Sequence, residues 1–297
     1  MKKLKFKIVS ILAVTLAIGI LVTGCSSSKG STEISGKGEA EEVKTIYAAT
    51  GGSPSPYITV NEDNELSGYD IEVLQHVFDR LPQYKLEFVI ADFGAVLTGL
   101  SSGNYQIAVN NFGYRAERAE TYYYSYPYDK TTYVFIQRKG DEPLTSFQDV
   151  ADRGYDIEAG AGVNITNAIE KWNEENPDSQ ISITYTEADL SVVFEHIEDG
   201  STDFRIDDLP IYLAYQEEFG FEGLDKHPIS DEETARISTS LNAYFLLPKD
   251  DEGAKLRKEV NEVLKELRED GTLLELSQKY FGADQVPDES DFESTLN

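Results

Sequence analysis

Two amides, a glycine and two arginines fall in one short stretch, Asn110-Asn111-Phe112-Gly113-Tyr114-Arg115-Ala116-Glu117-Arg118. These residue types suit an anion. Amide and backbone N–H groups donate to it, and a guanidinium fork gives a carboxylate two parallel charge-assisted bonds that lysine cannot copy. The stretch is entered through Gly103-Asn104-Tyr105-Gln106 and a short apolar run, Ile107 to Val109, which predicts a buried strand. In open α/β sheets ligands sit beyond the carboxyl ends of strands. Asn111, Gly113 and an arginine, either Arg115 or Arg118, are therefore expected at such an end. A second stretch has the same order: LSSGNYQIAVNN (100–111) and IEDGSTDFRIDD (197–208) both read helix, glycine, short strand, polar pair. The second pair is Asp207-Asp208. It either caps a helix over Leu209 to Phe219 or presents carboxylate to a cation. Two such strand ends facing one another would make a cleft.

Those elements must be positioned by the rest of the chain. Thr45 to Ala49 reads as a first strand, closed by the loop Thr50-Gly51-Gly52-Ser53-Pro54-Ser55-Pro56. Ile71, Leu74, Val77, Phe78 and Leu81 share one helical face, with Asp70 as expected N-cap and Pro82 beyond the end. Leu86 to Ile90 is a strand, and Val96, Leu97 and Leu100 mark a short helix ending before Gly103. This β-α-β-α-β order implies a parallel sheet with covering helices. Tyr133 to Gln137 is a further strand before the breakers Arg138 to Pro143. A similar unit then follows: strand Tyr155 to Ala159, a helix through Ile169 and Trp172, strand Ile181 to Tyr185, a helix through Leu190, Val193, Phe194 and Ile197, and the strand into Asp207-Asp208. Ala243 to Leu247 returns as a strand, and Lys255 to Tyr280 is helical with a break at Asp270-Gly271. The expectation is a two-lobed α/β fold, with lobe 1 at 45–138 and 237–282, lobe 2 at 139–236, and a loose acidic tail at 283–297. The tyrosine-dense segment Thr121 to Tyr128 is read as core and rim packing.

Composition removes several classes of function. Acidic residues number 54 against 26 basic, a formal net charge of −28. Such a surface repels phosphate backbones, so no nucleic-acid partner is expected. Cys25 is the one cysteine, which leaves no internal disulfide, thiolate metal cluster or catalytic thiol. His76, His196 and His227 lie far apart, at no metal-ligand spacing. No metal, no cofactor and no enzymatic triad are expected.

The first 24 residues read as a targeting segment, with lysines up to Lys7, an apolar stretch from Ile8 to Val22, and Leu21-Val22-Thr23-Gly24-Cys25 at the junction. The apolar run is short for a membrane span, which needs roughly 20 residues. The junction resembles a bacterial lipobox, which implies that Cys25 is acylated and anchors the chain to the outer face of the cell membrane. Residues 25–44 are Ser/Gly/Glu-rich and read as a flexible tether of about 25 Å.

In chain order, several segments resemble the polar amino-acid-binding proteins of bacterial ABC importers, the family 3 solute-binding proteins. Leu66-Ser67-Gly68-Tyr69-Asp70-Ile71-Glu72 looks like l-x-G-[FY]-D-[IV]-[DE]. Ala116-Glu117-Arg118 followed by Ser125-Tyr126-Pro127-Tyr128 looks like T-x-E-R…F-S-x-P-Y. Glu269 to Leu273 and Lys279 to Gly282 look like the closing DGT-l…K-[WY]-[FL]-G. Gln106 stands where the family usually has Asp. The segment from Ser67 to Phe88 and the Lys171 to Asn176 stretch look closest to the L-cystine-binding members. The resemblance implies a type II two-lobed periplasmic-binding-protein fold. It makes Arg118, rather than Arg115, the clamp on a ligand α-carboxylate. Asn111 and Gly113 would contact the ligand largely through backbone groups, Asn164 would add a second-lobe amide, and Asp208 would accept the ammonium. Phe93 would pack on the ligand side chain. Gly113 replaces the family's usual Ser or Thr, Val163 its usual Thr, and Pro54 falls near a position where it has an aromatic. The implied function is a monomeric, lipid-anchored carrier that closes over an amino acid and delivers it to an ABC permease. Two alternatives are a sensing module that signals through a separate membrane partner and a dehydratase-like enzyme using Asp207-Asp208. No apolar span follows Gly282, which favours the carrier.

Overall fold

The computed structural model describes residues 43–293; Cys25, the targeting segment and most of the tether lie outside the described residues. The chain enters on β1 (Lys44–Thr50), and the short ribbon β2 (Thr59–Val60) and β3 (Leu66–Ser67) leads into helix α1 (Tyr69–Asp79). Its apolar face, Ile71, Val73, Leu74, Val77 and Phe78, is buried as the helical spacing requires. Next come β4 (Tyr84–Ile90), α2 (Phe93–Ser101) and β5 (Ile107–Gly113). Helix α3 (Ala116–Thr121) and two short strands, β6 (Tyr122–Tyr124) and β7 (Asp129–Lys130), complete the first pass.

The chain then crosses to a second sheet through β8 (Tyr133–Arg138). Helix α4 (Phe147–Arg153), β9 (Asp156–Ala159), α5 (Asn164–Glu175), β10 (Ser182–Tyr185), α6 (Leu190–Asp199) and β11 (Phe204–Asp208) build that second unit. It is closed by α7 (Leu209–Phe219), β12 (Leu224–Pro228) and α8 (Asp231–Ile237). The return is β13 (Asn242–Pro248), followed by α9 (Asp251–Glu269) and α10 (Thr272–Phe281). The break between the last two helices falls at Gly271, whose φ of 88° lies where only glycine sits without strain.

The first sheet runs β4-β1-β5-β13-β6, with β7 also on β13; the second runs β10-β9-β11-β8-β12. In each, the predicted β-α-β-α-β unit is parallel, and antiparallel strands complete the sheet. The fold is thus the two-sheet α/β architecture expected. The segments that cross between sheets, Thr131-Thr132 and Ser238 to Leu241, are bonded to one another by the Thr131 N–H to the Leu241 carbonyl.

Two expectations need correction. The sequence places Tyr133 to Arg138 in lobe 1, but β8 lies inside the second sheet between β11 and β12. Five consecutive buried residues, Tyr133 to Gln137, suit a central strand of either sheet, and the pairing partner is chosen by tertiary contacts. The residues from 283 to 293 are not loose either. Phe292 is buried, its ring 5.5 Å from that of Tyr126 and 5.7 Å beneath the Arg268 guanidinium, and Asp288 pairs with Lys130 at 2.6 Å. One aromatic anchor docks a segment whose composition is otherwise that of a solvated tail.

Candidate functional site

The carboxyl end of β5 is irregular. Phe112 lies opposite Tyr244 and Ala108 opposite Leu246, so β5 spends four residues where β13 spends two. This is a bulge, and bulges re-aim side chains. Asn111 sits within it at φ 45°, the left-handed region that Asn tolerates better than other side-chain-bearing residues. Its N–H donates to Asp70 Oδ2 at 2.7 Å, and its side-chain amide donates to Asp208 Oδ2 at 2.7 Å. The second bond joins the first sheet to the second. Asn110 turns back, accepting the Gly51 N–H at 2.8 Å.

Arg118 lies on α3, directly after that strand. It is 8% exposed, and its guanidinium donates to the carbonyls of Gly113 (3.0 Å) and Gly162 (3.5 Å). The Phe112 ring lies 5.3 Å away, and the Tyr124 hydroxyl is a further neighbour. Burial pulls its pKa below the ordinary guanidinium range. Arg115 also reaches the Gly162 carbonyl, at 3.2 Å, but it is more exposed and faces Glu117 at 3.8 Å. The two arginines therefore converge on one loop, and Arg118 is the deeper. That loop leads into α5, whose N-cap is Val163; its first turn has no side-chain cap and no acid. An uncapped helix start leaves N–H groups and the positive end of the dipole for an outside acceptor. Asn164 opens that helix, and its buried Nδ2 lacks a hydrogen-bond partner among the described residues. A Cβ at Gly113 would approach Asn164 Nδ2 to 2.5 Å. This close approach accounts for a glycine where a hydroxyl residue was expected.

The other wall is Asp208, 5% exposed. It occupies the N-cap position of α7, yet its side chain makes no capping bond, so the capping explanation for the acid pair fails. Asp207 is committed elsewhere: Oδ2 accepts from Arg205 Nε at 2.6 Å and Oδ1 from the Asp208 N–H at 3.1 Å. Asp208 Oδ1 and Asn111 Oδ1 are buried acceptors without a donor among the described residues. Burial, then Asp207 and Asp129, push the Asp208 pKa well above the usual carboxylate range.

Behind Asn111 lie residues that the sequence analysis does not assign to the ligand site. Asp70 and Asp129 are fully buried with Tyr57, Tyr69 and Tyr128. The expected N-cap role of Asp70 is not seen: α1 is entered from Gly68, with no side-chain cap. At φ 114°, a Cβ on Gly68 would strike the Tyr57 carbonyl at 2.3 Å. Burial raises Asp129 well above the carboxylate range, and Asp70 adds to the shift. Among the described residues, no group of three or more His, Cys, Asp or Glu is placed to hold a metal ion. Phe93, at the start of α2, lies 5.7 Å from Phe112 and reaches Arg118 only through that ring. A groove of about 630 Å³ between α7 and the end of α10 is lined by Ser55, Pro56, Leu209, Pro210 and Phe281. It lies beside the charged walls, and the acids on its rim, Glu217 and Glu218, are exposed. The structure thus gathers Arg118, Asn111, Gly113, Asn164 and Asp208 at one place, with Phe93 at its edge; Cys25 lies outside the described residues.

Known proteins resemble this chain over most of its length. The L-cystine-binding protein TcyJ of Bacillus subtilis is 26% identical over 266 residues, covering 89% of this chain and 91% of that protein. A chain solved in work on glutathione import in Gram-positive bacteria, via GshT and the cystine ABC importer TcyBC of Streptococcus mutans, is 31% identical. It superposes with a TM-score of 0.75 over 84% of this chain and 99% of that one. A putative L-cystine ABC transporter protein from Listeria monocytogenes is 26% identical, with a TM-score of 0.70, covering 82% and 99%. The profile of bacterial extracellular solute-binding proteins, family 3, matches residues 46–283, and the chain belongs to that family.

Proposed function

We propose that this chain is the substrate-binding component of an ABC importer and captures a free amino acid between its two sheets. One observation carries the reading: the facing walls hold opposite, unfinished chemistry. On one side are a buried guanidinium without a carboxylate among the described residues, an uncapped helix start and a spare amide donor. On the other are buried acceptors without donors, Asp208 Oδ1 and Asn111 Oδ1. An amino acid supplies a carboxylate to the first wall and an ammonium to the second. It meets both only when the walls are close, so binding favours closure by differential contact.

L-cystine is the proposed ligand, on the strength of the names its relatives carry. Anchoring through acylated Cys25 on the outer face of the cell membrane, action as a monomer and delivery to a membrane permease complete the proposal. The lipobox-like junction supports the anchor, and family membership supports the delivery. Titration calorimetry of the purified chain against the common amino acids, L-cystine and glutathione tests it. Glutathione is included because its γ-glutamyl end carries the same free ammonium and α-carboxylate. Binding of L-cystine with 1:1 stoichiometry is expected. Binding of glutathione alone would move the ligand to that peptide, and binding of none of the panel would overturn the amino-acid reading.

A further inference from the structure

Asp70 is the second residue of α1, has no exposed surface and caps nothing. Burying a carboxylate without a cation is costly, and none of the ion pairs among the described residues includes Asp70. A leucine or methionine would suit the apolar face of α1 at less cost. What Asp70 provides is an acceptor for one N–H. The bulge in β5 takes the Asn111 N–H out of the ladder with β13, and a buried N–H left unpaired is destabilising. Asp70 Oδ2 takes that bond at 2.7 Å. The partner matters because the left-handed backbone of Asn111, a conformation that side-chain-bearing residues adopt at a cost, is what turns its side-chain amide to Asp208. If the N–H returned to the ladder, the amide would be aimed elsewhere.

We propose that Asp70 is a positioning residue for the ligand cleft: by holding the Asn111 N–H it fixes the β5 bulge and aims the Asn111 side chain at Asp208. The inference rests on the amino-acid reading of the cleft for its effect on affinity, but its structural step can be read without any ligand. In the ¹⁵N-labelled chain, Asp70→Leu is expected to speed exchange of the Asn111 amide by about tenfold or more and to weaken L-cystine binding by about 10–100-fold, which corresponds to the loss of one charge-assisted bond. Asp70→Asn keeps an acceptor oxygen and should hold affinity within about fivefold. Adding Asp70→Leu to Asn111→Ala should cost little beyond Asn111→Ala alone, because the first acts through the second. Asn261→Ala serves as a control: it deletes another buried polar contact, the Tyr126 N–H to Asn261 Oδ1, and should leave affinity unchanged. Unaltered Asn111 exchange in Asp70→Leu, or losses that add in the double variant, would overturn the proposal. Should Asp70→Leu not fold, Asp70→Asn decides through the Asn111 amide resonance, recorded at a pH where Asp70 is ionised, which must move when its acceptor loses charge; an unmoved resonance also overturns it. If the wild-type chain binds no L-cystine, the ligand assignment falls, and the amide measurements still decide the role of Asp70.

Discussion

Replacing Arg118 by methionine should stabilise the protein while nearly abolishing ligand binding. The stability side follows from the surroundings of the guanidinium. It is 8% exposed, donates to two neutral carbonyls, lies by the Tyr124 hydroxyl, and has no carboxylate partner among the described residues. Desolvating an ion costs several kcal/mol even after relaxation. Three gains offset this: the bond to Gly113, the weaker bond to Gly162, and the Phe112 ring, worth about 1–2 kcal/mol when desolvated. Methionine removes the desolvation cost and fills a similar apolar volume. It leaves the Gly113 carbonyl without its donor, at about 1–2 kcal/mol, whereas the Gly162 carbonyl keeps Arg115. With desolvation at about 5 kcal/mol, against about 1.5 for the ring, about 1 for the Gly162 bond and about 1.5 for the Gly113 carbonyl, the balance is about 1 kcal/mol in favour of Arg118→Met, a rise of about 2–4 °C in Tm for a body of this size. The affinity side has the opposite sign. Two parallel charge-assisted bonds to a carboxylate contribute about 3–6 kcal/mol, so Kd should rise by about 10²–10⁴-fold. Arg118→Lys keeps the charge but loses the fork and should fall between the two. Scanning calorimetry without ligand and titration with L-cystine, both in one buffer, read the two quantities. A structural arginine would lose both together. An Arg118→Met protein that melts several degrees lower, or that binds within tenfold of wild type, would refute the reasoning.

Gly113→Ala should weaken binding by about tenfold with little change in Tm, because the new methyl group pushes the Asn164 amide, 2.5 Å from it, out of the cleft and removes one hydrogen bond of about 1 kcal/mol; titration calorimetry reads the loss, and unchanged affinity would remove Asn164 from the site. Stability should also fall as pH rises from about 4 to 7, between the unfolded and folded pKa values of Asp70. Burial pushes the Asp70 pKa up to about 7, against the lowering pull of the Asn111 N–H. A carboxyl whose folded pKa is raised contributes stability that is full below its unfolded pKa and is lost as pH climbs through the folded one. The displacement from 3.8 to about 7 amounts to about 4 kcal/mol, and Asp129 and Asp208 act in the same direction. Urea unfolding at a series of pH values should show this decline, and Asp70→Asn should flatten it; an equal slope in that variant would mean that Asp70 does not titrate there.

Much of this was readable in the sequence, and what was not has physical causes. The apolar run Ile107 to Val109 ending in amides and a glycine marks a strand end by local pattern alone, and β5 lies there. Helical spacing placed the buried face of α1, because a period of 3.6 depends only on neighbours along the chain. Asp70 was misread because N-cap preference is also local, and its partner, the Asn111 N–H, lies 41 residues away. The β5 bulge is a property of register against β13, which no single strand encodes. The difference between Asp207 and Asp208 depended on Arg205 folding back to take the first. Phe292, one aromatic among acids and a proline, was outweighed by the composition around it.

The internal echo between the two halves has a topological basis. In the first sheet the order β4-β1-β5-β13 places the unit's second strand at the edge, its first strand next and its third beside an antiparallel strand. In the second, β10-β9-β11-β8 repeats that order. β5 and β11 therefore hold equivalent positions, and their carboxyl ends are the ones that meet. One ends in Asn110-Asn111 and the other in Asp207-Asp208. Had both ended in carboxylates, the walls would repel. With two amides, neither would favour a cation. With one of each, the Asn111 side-chain amide donates one hydrogen bond to Asp208 at 2.7 Å and both residues keep an acceptor oxygen unspent. That asymmetry, at the same slot of a repeated unit, leaves the contact between the lobes with a demand for a cationic group. Arg118 and the start of α5 place the matching demand for an anion on the other side of Gly113.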